Sequence, residues 1–456
     1  MAKFGPVKFE LTKKYLEQLK EQVELREEAL IQSDVNQLHP ADIADVLENL
    51  DEQEAKFVYQ LLDEEKAADA LMELDDEFRQ GFLKLFSSSE IAEQVDQLDT
   101  DDAADLLGEL EDSDKEEVIA QMEDQEHASE VVGLLRYDED TAGGLMQTEY
   151  IVAKENWPVR RCVIEMRKQA EEVEKVYSIY VVDDEDKLLG ILSLRRLLFA
   201  EPTTLIREMF TSENIHYVKT SDTQEQVAEV MEKYDLVAVP VVDIQNKLVG
   251  RITIDDVVDV IREEAERDFQ MASGISENVE SSSSVLKNTR SRLPWILIGL
   301  AGGVMSSQII KGYEEHIVVI PSLAFFIPLI ASTAGNVGVQ SSAIVVQGLA
   351  SNDFQMKGIF SQVLKETLVG SIVGMICAAV IYGVGYFFTG EMQLGITLSI
   401  SLFVVVVSAA ILGTFIPLVL DRMKIDPALA TGPFITTAND IIGLSIYFLV
   451  AYLVYF

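Results

Sequence analysis

A single carboxylate inside an apolar segment poses the first chemical problem of this sequence. Asp440 stands in TGPFITTANDIIGLSIYF (431–448), with Asn439 beside it and Thr436 one turn earlier on the same helical face. The surrounding stretch, 429–456, is long enough to cross a bilayer. Counted from its start, Asp440 is about twelve residues in, roughly 17 Å at 1.5 Å per residue and close to the midplane of a ~30 Å core. A carboxylate at that depth costs about 2.5–3.5 kcal/mol on insertion scales. No basic residue shares the stretch, so a cation passing through is the expected compensation. A protonated structural acid or a proton-relay acid are the alternatives. A second stretch, FFIPLIASTAGNVGVQSS (325–342), adds the amide oxygens of Asn336 and Gln340. Pro328, Gly335 and Gly338 predict loosened backbone there, with carbonyls freed as further oxygen ligands. Close helix packing by small residues is the competing reading of the glycines.

These residues need a membrane scaffold, and the C-terminal third supplies one. Five apolar stretches are predicted to span, at 293–310, 317–348, 363–389, 393–420 and 429–456. Lys287, Arg290, Arg292, Lys357, Lys365, Arg422 and Lys424 fall on one side, and Lys311, with Glu314 and Glu315, on the other. The excess of positive charge marks the inner side, which predicts a cytosolic N-terminus and an external C-terminus. The start of the chain has no apolar signal region.

The remainder is hydrophilic and acidic. The chain holds 36 Lys/Arg against 77 Asp/Glu, a net charge of −41. From Ser291 onward there are 6 basic and 8 acidic residues, leaving 30 and 69 to the first 290. Such a surface excludes nucleic acid, which needs clustered Lys/Arg, and favours cations as partners. The two cysteines, Cys162 and Cys377, make no disulfide framework, and four scattered histidines make no transition-metal site.

Within the acidic part a pattern recurs every twelve residues from Pro40, as in PADIADVLENL, EEKAADALMEL and TDDAADLLGEL. Its eleventh position reads Leu50, Leu62, Leu74, Phe86, Leu98, Leu110, Met122, Leu134. Units this short hold one two-turn helix each and must stack into a superhelix to bury that face. Asp45, Asp69 and Asp105 occupy one phase of the repeat, and Asp101 and Asp105 share a helix face at i and i+4, where they repel unless a cation intervenes.

Next comes a duplication. SIYVVDDEDKLLGILSLRRLL (178–198) matches AVPVVDIQNKLVGRITIDDVV (238–258) at an offset of 60 residues. Each copy reads strand, turn, strand, helix, with a helical stretch before it. The tandem resembles a CBS-domain pair, a sensory module that often dimerises. In that family Gly-x-x-Thr/Ser-x-x-Asp contacts the ribose of adenine nucleotides. Gly250, Thr253 and Asp256 fit, whereas Arg196 replaces the acid in the first copy. The resemblance thus implies one ATP-like nucleotide site, at Thr253 and Asp256. An acidic helical pattern carrying Asp256, Asp259 and Glu263 and the run Ser281–Ser284 then lead to the membrane part.

With PLIASTAGNVGVQSS and GPFITTANDIIGLSIYF in place, essentially the whole chain resembles the MgtE family of magnesium channels or transporters. The expected fold is a multidomain membrane protein with an all-α superhelical N domain (1–138), an α/β CBS-domain pair (139–203 and 204–262), a connecting helix and linker (263–290) and an all-α transmembrane domain of five helices (291–456). The resemblance implies a plasma-membrane homodimer with Asp440 of each subunit facing hydrated Mg²⁺ on the two-fold axis. It also implies Mg²⁺ bound between cytosolic domains, closing the pore. By position that role falls on Asp69, Asp101 and Asp105, on Glu225 and Asp235, on Asp256, Asp259 and Glu264, and on Asp426 before the fifth span. Arg267 stands where another acid is expected. A less selective Co²⁺, Ni²⁺ or Mn²⁺ transporter and a membrane-tethered sensor without transport are the alternatives. No phosphate loop, nucleophile elbow or catalytic metal triad points to an enzyme.

Overall fold

The computed structural model describes residues 9–170, 173, 175–213, 215–276, 279, 284–350, 358–430 and 432–455. Lys357 and residues 281–283 of the serine run lie outside them. The chain divides into two units, Met1–Arg262 and Glu263–Phe456.

The first unit opens with helices α1 (Lys13–Leu25) and α2 (Glu28–Val35). The repeats follow as α3 (Pro40–Glu48), α4 (Glu52–Tyr59), α5 (Glu64–Met72), α6 (Asp76–Leu83), α7 (Ser88–Val95), α8 (Thr100–Gly108), α9 (Asp112–Gln121) and α10 (Gln125–Leu134). None of these helices would persist alone at 8–10 residues. Several of their starts are fixed by side chains: Asp51 with Glu54 and Ser87 with Glu90 form reciprocal capping boxes, and Pro40 occupies the first turn of α3. Leu50, Leu74, Leu98, Met122 and Leu134, at the eleventh repeat position, are buried. Arg79 is buried as well, held by Glu109, Asp76 and the carbonyls of Met72 and Leu74.

Two three-stranded sheets come next, β1 (Ile151–Lys154), β2 (Ile179–Val182) and β3 (Leu188–Leu192), then β4 (Val218–Lys219), β5 (Ala238–Val242) and β6 (Leu248–Thr253). Each has one parallel pair and one antiparallel hairpin, ordered β1-β2-β3 and β4-β5-β6. The hairpins turn alike: the Asp183 and Asp243 carboxylates each accept two backbone N–H groups, and Asp186 and Asn246 adopt φ of 64° and 61°. Helices α11 (Val159–Gln169), α12 (Leu194–Leu198) and α13 (Gln224–Lys233) pack with the strands, and α14 (Ile254–Ala272) leaves β6 directly. The helical repeats and the second CBS unit share one core, in which Leu106 and Val131 join Val227, Ile252 and Val257.

In the second unit five helices among the described residues are long and apolar enough to cross a membrane. They are α15 (Val285–Gly312), α18 (Ile327–Ala350), α19 (Gly358–Thr389), α20 (Met392–Arg422) and α21 (Pro433–Tyr455), with the short α16 (Glu314–Val319) and α17 (Ser322–Phe325) between the first two. The expected fold class therefore holds, but two local expectations do not. Helix α18 is continuous through Gly335 and Gly338. Pro328 lies in its first turn, where a missing N–H costs nothing, and the glycines serve close packing instead of unwinding. The apolar run before it is broken earlier, by Pro321 between α16 and α17.

Candidate functional site

Asp440 belongs to α21, whose first turn starts at Pro433 after a short 3-10 turn at Pro427–Ala430 and Gly432 in the left-handed region at φ 54°. It is therefore about 10 Å along a helix of about 34 Å, shallower than a count from 429 implies. The difference arises because the segment around Gly432 is a turn. Asp440 is half-buried, and among the described residues no ion pair reaches it.

Gly335 of α18 makes room for this site. A Cβ there would stand 3.1 Å from Thr436 Cγ2 and 3.7 Å from Asp440 Oδ1. The Thr436 hydroxyl donates to the Gly432 carbonyl at 3.0 Å, which leaves its oxygen as an acceptor. One turn further, a Cβ on Gly338 would collide with the Asn439 amide. Asn439 is 2% exposed, and its Nδ2 makes no hydrogen bond among the described residues. Asn336 and Gln340 project from α18 as exposed side chains, off the buried face that meets α21. On α19, Glu366 is buried and accepts from the Ser341 hydroxyl at 3.4 Å.

A second constellation gathers in the first unit, where α8 meets β6 and the start of α14. Asp101 is 6% exposed, and its Oδ2 accepts from Gln147 Nε2 at 3.0 Å. Burial, then the charges of Asp102 and Asp256, raise it well above the ordinary carboxylate range. Asp102 is pushed up to about 7 by burial, then by Asp256, Asp105, Asp99 and Asp69. Asp105 has an exposed side chain, yet its hemmed-in carboxyl rises to about 7 through desolvation and then the Glu139 charge, with Arg79 opposing. Asp256, half-buried, rises to about 6 by desolvation, although the Thr253 hydroxyl donates to it at 2.6 Å. The Thr253–Asp256 pair, expected from the sequence to contact a ribose, is thus also part of the acid cluster.

Among the described residues no three His, Cys, Asp or Glu side chains converge tightly enough to cage a bare ion. The donor set is nonetheless all oxygen and strongly under-neutralised. That suits Mg²⁺, which keeps most of its waters and reaches carboxylates through them.

Other predicted positions are dispersed. Glu225 and Asp235 are exposed around α13, Asp235 at φ 51°. Asp69 is exposed and acts on Asp102 through its charge. Asp259 is exposed, with Arg262 at 3.8 Å. Within the second unit Glu264 is half-buried and Asp426 exposed, its carboxylate capping the turn at Ala428 N at 2.8 Å. Asp268 faces Asp426: partial burial and then the Asp426 charge raise the Asp268 carboxyl, against Arg267. The same helix end abuts the start of α21, where a Cβ on Gly432 would strike the Ala272 carbonyl and one on Gly274 would lie 2.6 Å from Pro433 Cγ. Asp102, Glu139, Gln147, Glu149 and Asp268 were not legible as site residues. Asp102 had a signal, three residues before Asp105 and next to Asp101; Gln147 and Glu149, in the connector after the repeats, had none.

Comparison with known proteins matches these parts in order. The MgtE intracellular N domain matches residues 38–140, the CBS domain 142–202 and 206–263, and MgtE, described as a divalent cation transporter, 327–450. "Magnesium transporter MgtE" of Bacillus subtilis is 32% identical over 417 residues, 91% of this chain and 92% of that protein. The protein of the same name from Thermus thermophilus is 36% identical over 325 residues, 71% of this chain and 72% of its own length. Among solved structures, the cytosolic domain of the Mg²⁺ channel MgtE in complex with ATP is 35% identical, with a TM-score of 0.51 over 54% of this chain and 99% of that one. With its acid-bearing membrane helix, its CBS pair and its acidic repeats all matched along most of its length, the chain belongs to the MgtE family, whose members are divalent cation transporters and not enzymes.

Proposed function

We propose that the protein is a channel-like Mg²⁺ importer, closed by cytosolic Mg²⁺. The observation that carries this is Asp440, a half-buried acid in a membrane helix with no ion pair among the described residues, set against Thr436 and a glycine that clears space for it. A hydrated divalent ion relieves such a carboxylate without being stripped of its waters, and carboxylate, hydroxyl and amide oxygens suit a hard ion. Asn336 and Gln340 extend the oxygen-lined path if two copies meet across their exposed face, which makes the homodimer part of the proposal. The names of the relatives, magnesium transporters, agree with this choice of ion.

The regulatory half rests on the acid cluster. Asp69, Asp101, Asp102, Asp105 and Asp256 repel one another while the N domain is docked on the second CBS unit, and Mg²⁺ between them converts that penalty into attraction. Asp268 and Asp426 carry the same logic at the end of α14, next to the start of α21. Glu225, Asp235, Asp259 and Glu264 are assigned weaker peripheral ions. Thr253 and Asp256 are the proposed contacts for an adenine nucleotide, in keeping with the ATP complex of the related cytosolic domain. The N-terminal domains are placed in the cytosol and the C-terminus outside, in the plasma membrane.

The test is Mg²⁺ flux into proteoliposomes. Asp440→Asn keeps the side chain's shape and removes its charge; flux should fall to a small fraction of the parent's, with dimerisation unchanged. Undiminished flux would remove Asp440 from the ion path. Parallel assays with Co²⁺ and Ni²⁺ separate a Mg²⁺-selective path from a general divalent one.

A further inference from the structure

We propose that Gln147 is a positioning residue that links the buried Asp101 carboxylate to the Arg251 guanidinium, forming a standing, ion-independent latch between the helical repeats and the second CBS unit. This deepens the regulatory reading above and rests on it only for the response to added ions.

The latch is a continuous chain of buried hydrogen bonds. Arg251 Nε donates to Gln147 Oε1 at 2.7 Å, and Gln147 Nε2 donates to Asp101 Oδ2 at 3.0 Å. All three side chains are almost fully buried, at 4%, 5% and 6% exposure. The backbones of Gln147 and Arg251 pair as an isolated antiparallel bridge, at 2.9 and 3.0 Å, which fixes the amide between its partners. Arg251 is steadied by the Lys175 carbonyl at 2.9 Å and lies over the Tyr177 ring at 5.7 Å. Gly250 permits the approach: a Cβ there would lie 2.7 Å from Met146 Sδ and 3.0 Å from the Gln147 carbonyl.

The same strip grips α8 at a second point. Glu149 accepts from Thr100 N at 3.1 Å and from Thr100 Oγ1 at 2.9 Å, while Thr148 N donates to Thr100 Oγ1 at 2.9 Å. Glu149 thereby caps α8, whose N-cap Asp99 makes no side-chain cap bond. Segment 147–149 is thus bonded to α8 on one side and to β6 on the other.

An amide is suited to this relay and few other groups are. It accepts from the guanidinium at one end and donates to the buried carboxyl at the other, so both groups are satisfied without a direct ion pair. A buried acid left without that donor is costly. The latch therefore opposes the repulsion within the acid cluster before any ion arrives, and it sets how much divalent ion completes docking.

The experiment uses the full-length protein in nanodiscs and reads hydrogen exchange of α8 and segment 146–149, first in chelator and then across a Mg²⁺ titration. Gln147→Leu should exchange about tenfold faster in chelator and need about tenfold more Mg²⁺ to recover protection, the equivalent of about 1.4 kcal/mol. Gln147→Glu should do the same, because two buried acids then face each other. The double exchange Asp101→Asn with Gln147→Glu restores every donor–acceptor match at the same net charge, and it should recover protection in chelator. Parent-like exchange in Gln147→Leu would overturn the latch, as would failure of the double exchange in a variant that melts like the parent. If the chelator ranking holds but no protein responds to Mg²⁺, the latch stands and the ion-sensing reading falls.

Discussion

In the absence of divalent ions, docking of the repeats on the second CBS unit should strengthen as pH falls from 8 to 6. Asp102 and Asp256 have carboxyls raised to about 7 and about 6 where they are crowded together, against 3.8 ordinarily. A raised acid destabilises the docked form at any pH above its docked pKa, and the penalty shrinks as pH drops through that value. Between pH 8 and 6 the Asp102 term favours docking by about tenfold and the Asp256 term by about twofold, together about twentyfold or ~1.8 kcal/mol as independent groups. The assay is hydrogen exchange or small-angle scattering on residues 1–262 in chelator at several pH values. That unit has its own hydrophobic core. Millimolar Mg²⁺ should reverse the dependence, since it needs ionised carboxylates and competes with protons. Docking that is flat from pH 8 to 6 in chelator, or stronger at pH 8, would refute the electrostatic account.

Two further outcomes follow from the second unit. Gly432→Ala forces a non-glycine residue to φ 54° and into the Ala272 carbonyl, so it should cost at least about 1–2 kcal/mol locally; a lowered melting temperature and flux that persists at millimolar internal Mg²⁺ are the readouts, and parent-like closure would show that this contact plays no part in gating. A tag fused after Phe456 should be labelled on intact cells, whereas labelling only after permeabilisation would require a different number of crossings.

How much was legible depended on whether the determining interactions are local. The superhelix could be read because the repeats carry local helix starts, as at Asp51 and Ser87, and an apolar eleventh residue that is buried in most of them, as at Leu50 and Leu98. The CBS hairpins could be read because Asp183 and Asp243 organise their turns within four residues. Asp440 stood out by contrast with its neighbours. Gln147 could not be read, since its partners are 46 and 104 residues away and a lone Gln in a connector has no pattern. The glycines of α18 were misread for a related reason: composition cannot distinguish a helix that unwinds from one whose neighbour presses against it, and the close approach of Thr436 to Gly335 and of Asn439 to Gly338 settles the matter.

The crossing at Gly338 limits how this protein can drift and be redesigned. A Cβ on Gly413 would run into the Gly338 carbonyl, so α18 and α20 meet there backbone to backbone, while α21 closes the crossing with the Asn439 amide, into which a Cβ on Gly338 would run. Side chains elsewhere act as cushions, because a rotamer can yield by a few tenths of an ångström. Bare backbone has no such give, and the α18–α20 junction behaves as a hard bearing around which the two helices slide or tilt but cannot be squeezed. Even a methyl group at either glycine is a wedge driven into this crossing. Attempts to widen or narrow the path should therefore work on the exposed positions Asn336 and Gln340, where size can change by degrees, and leave the bearing untouched.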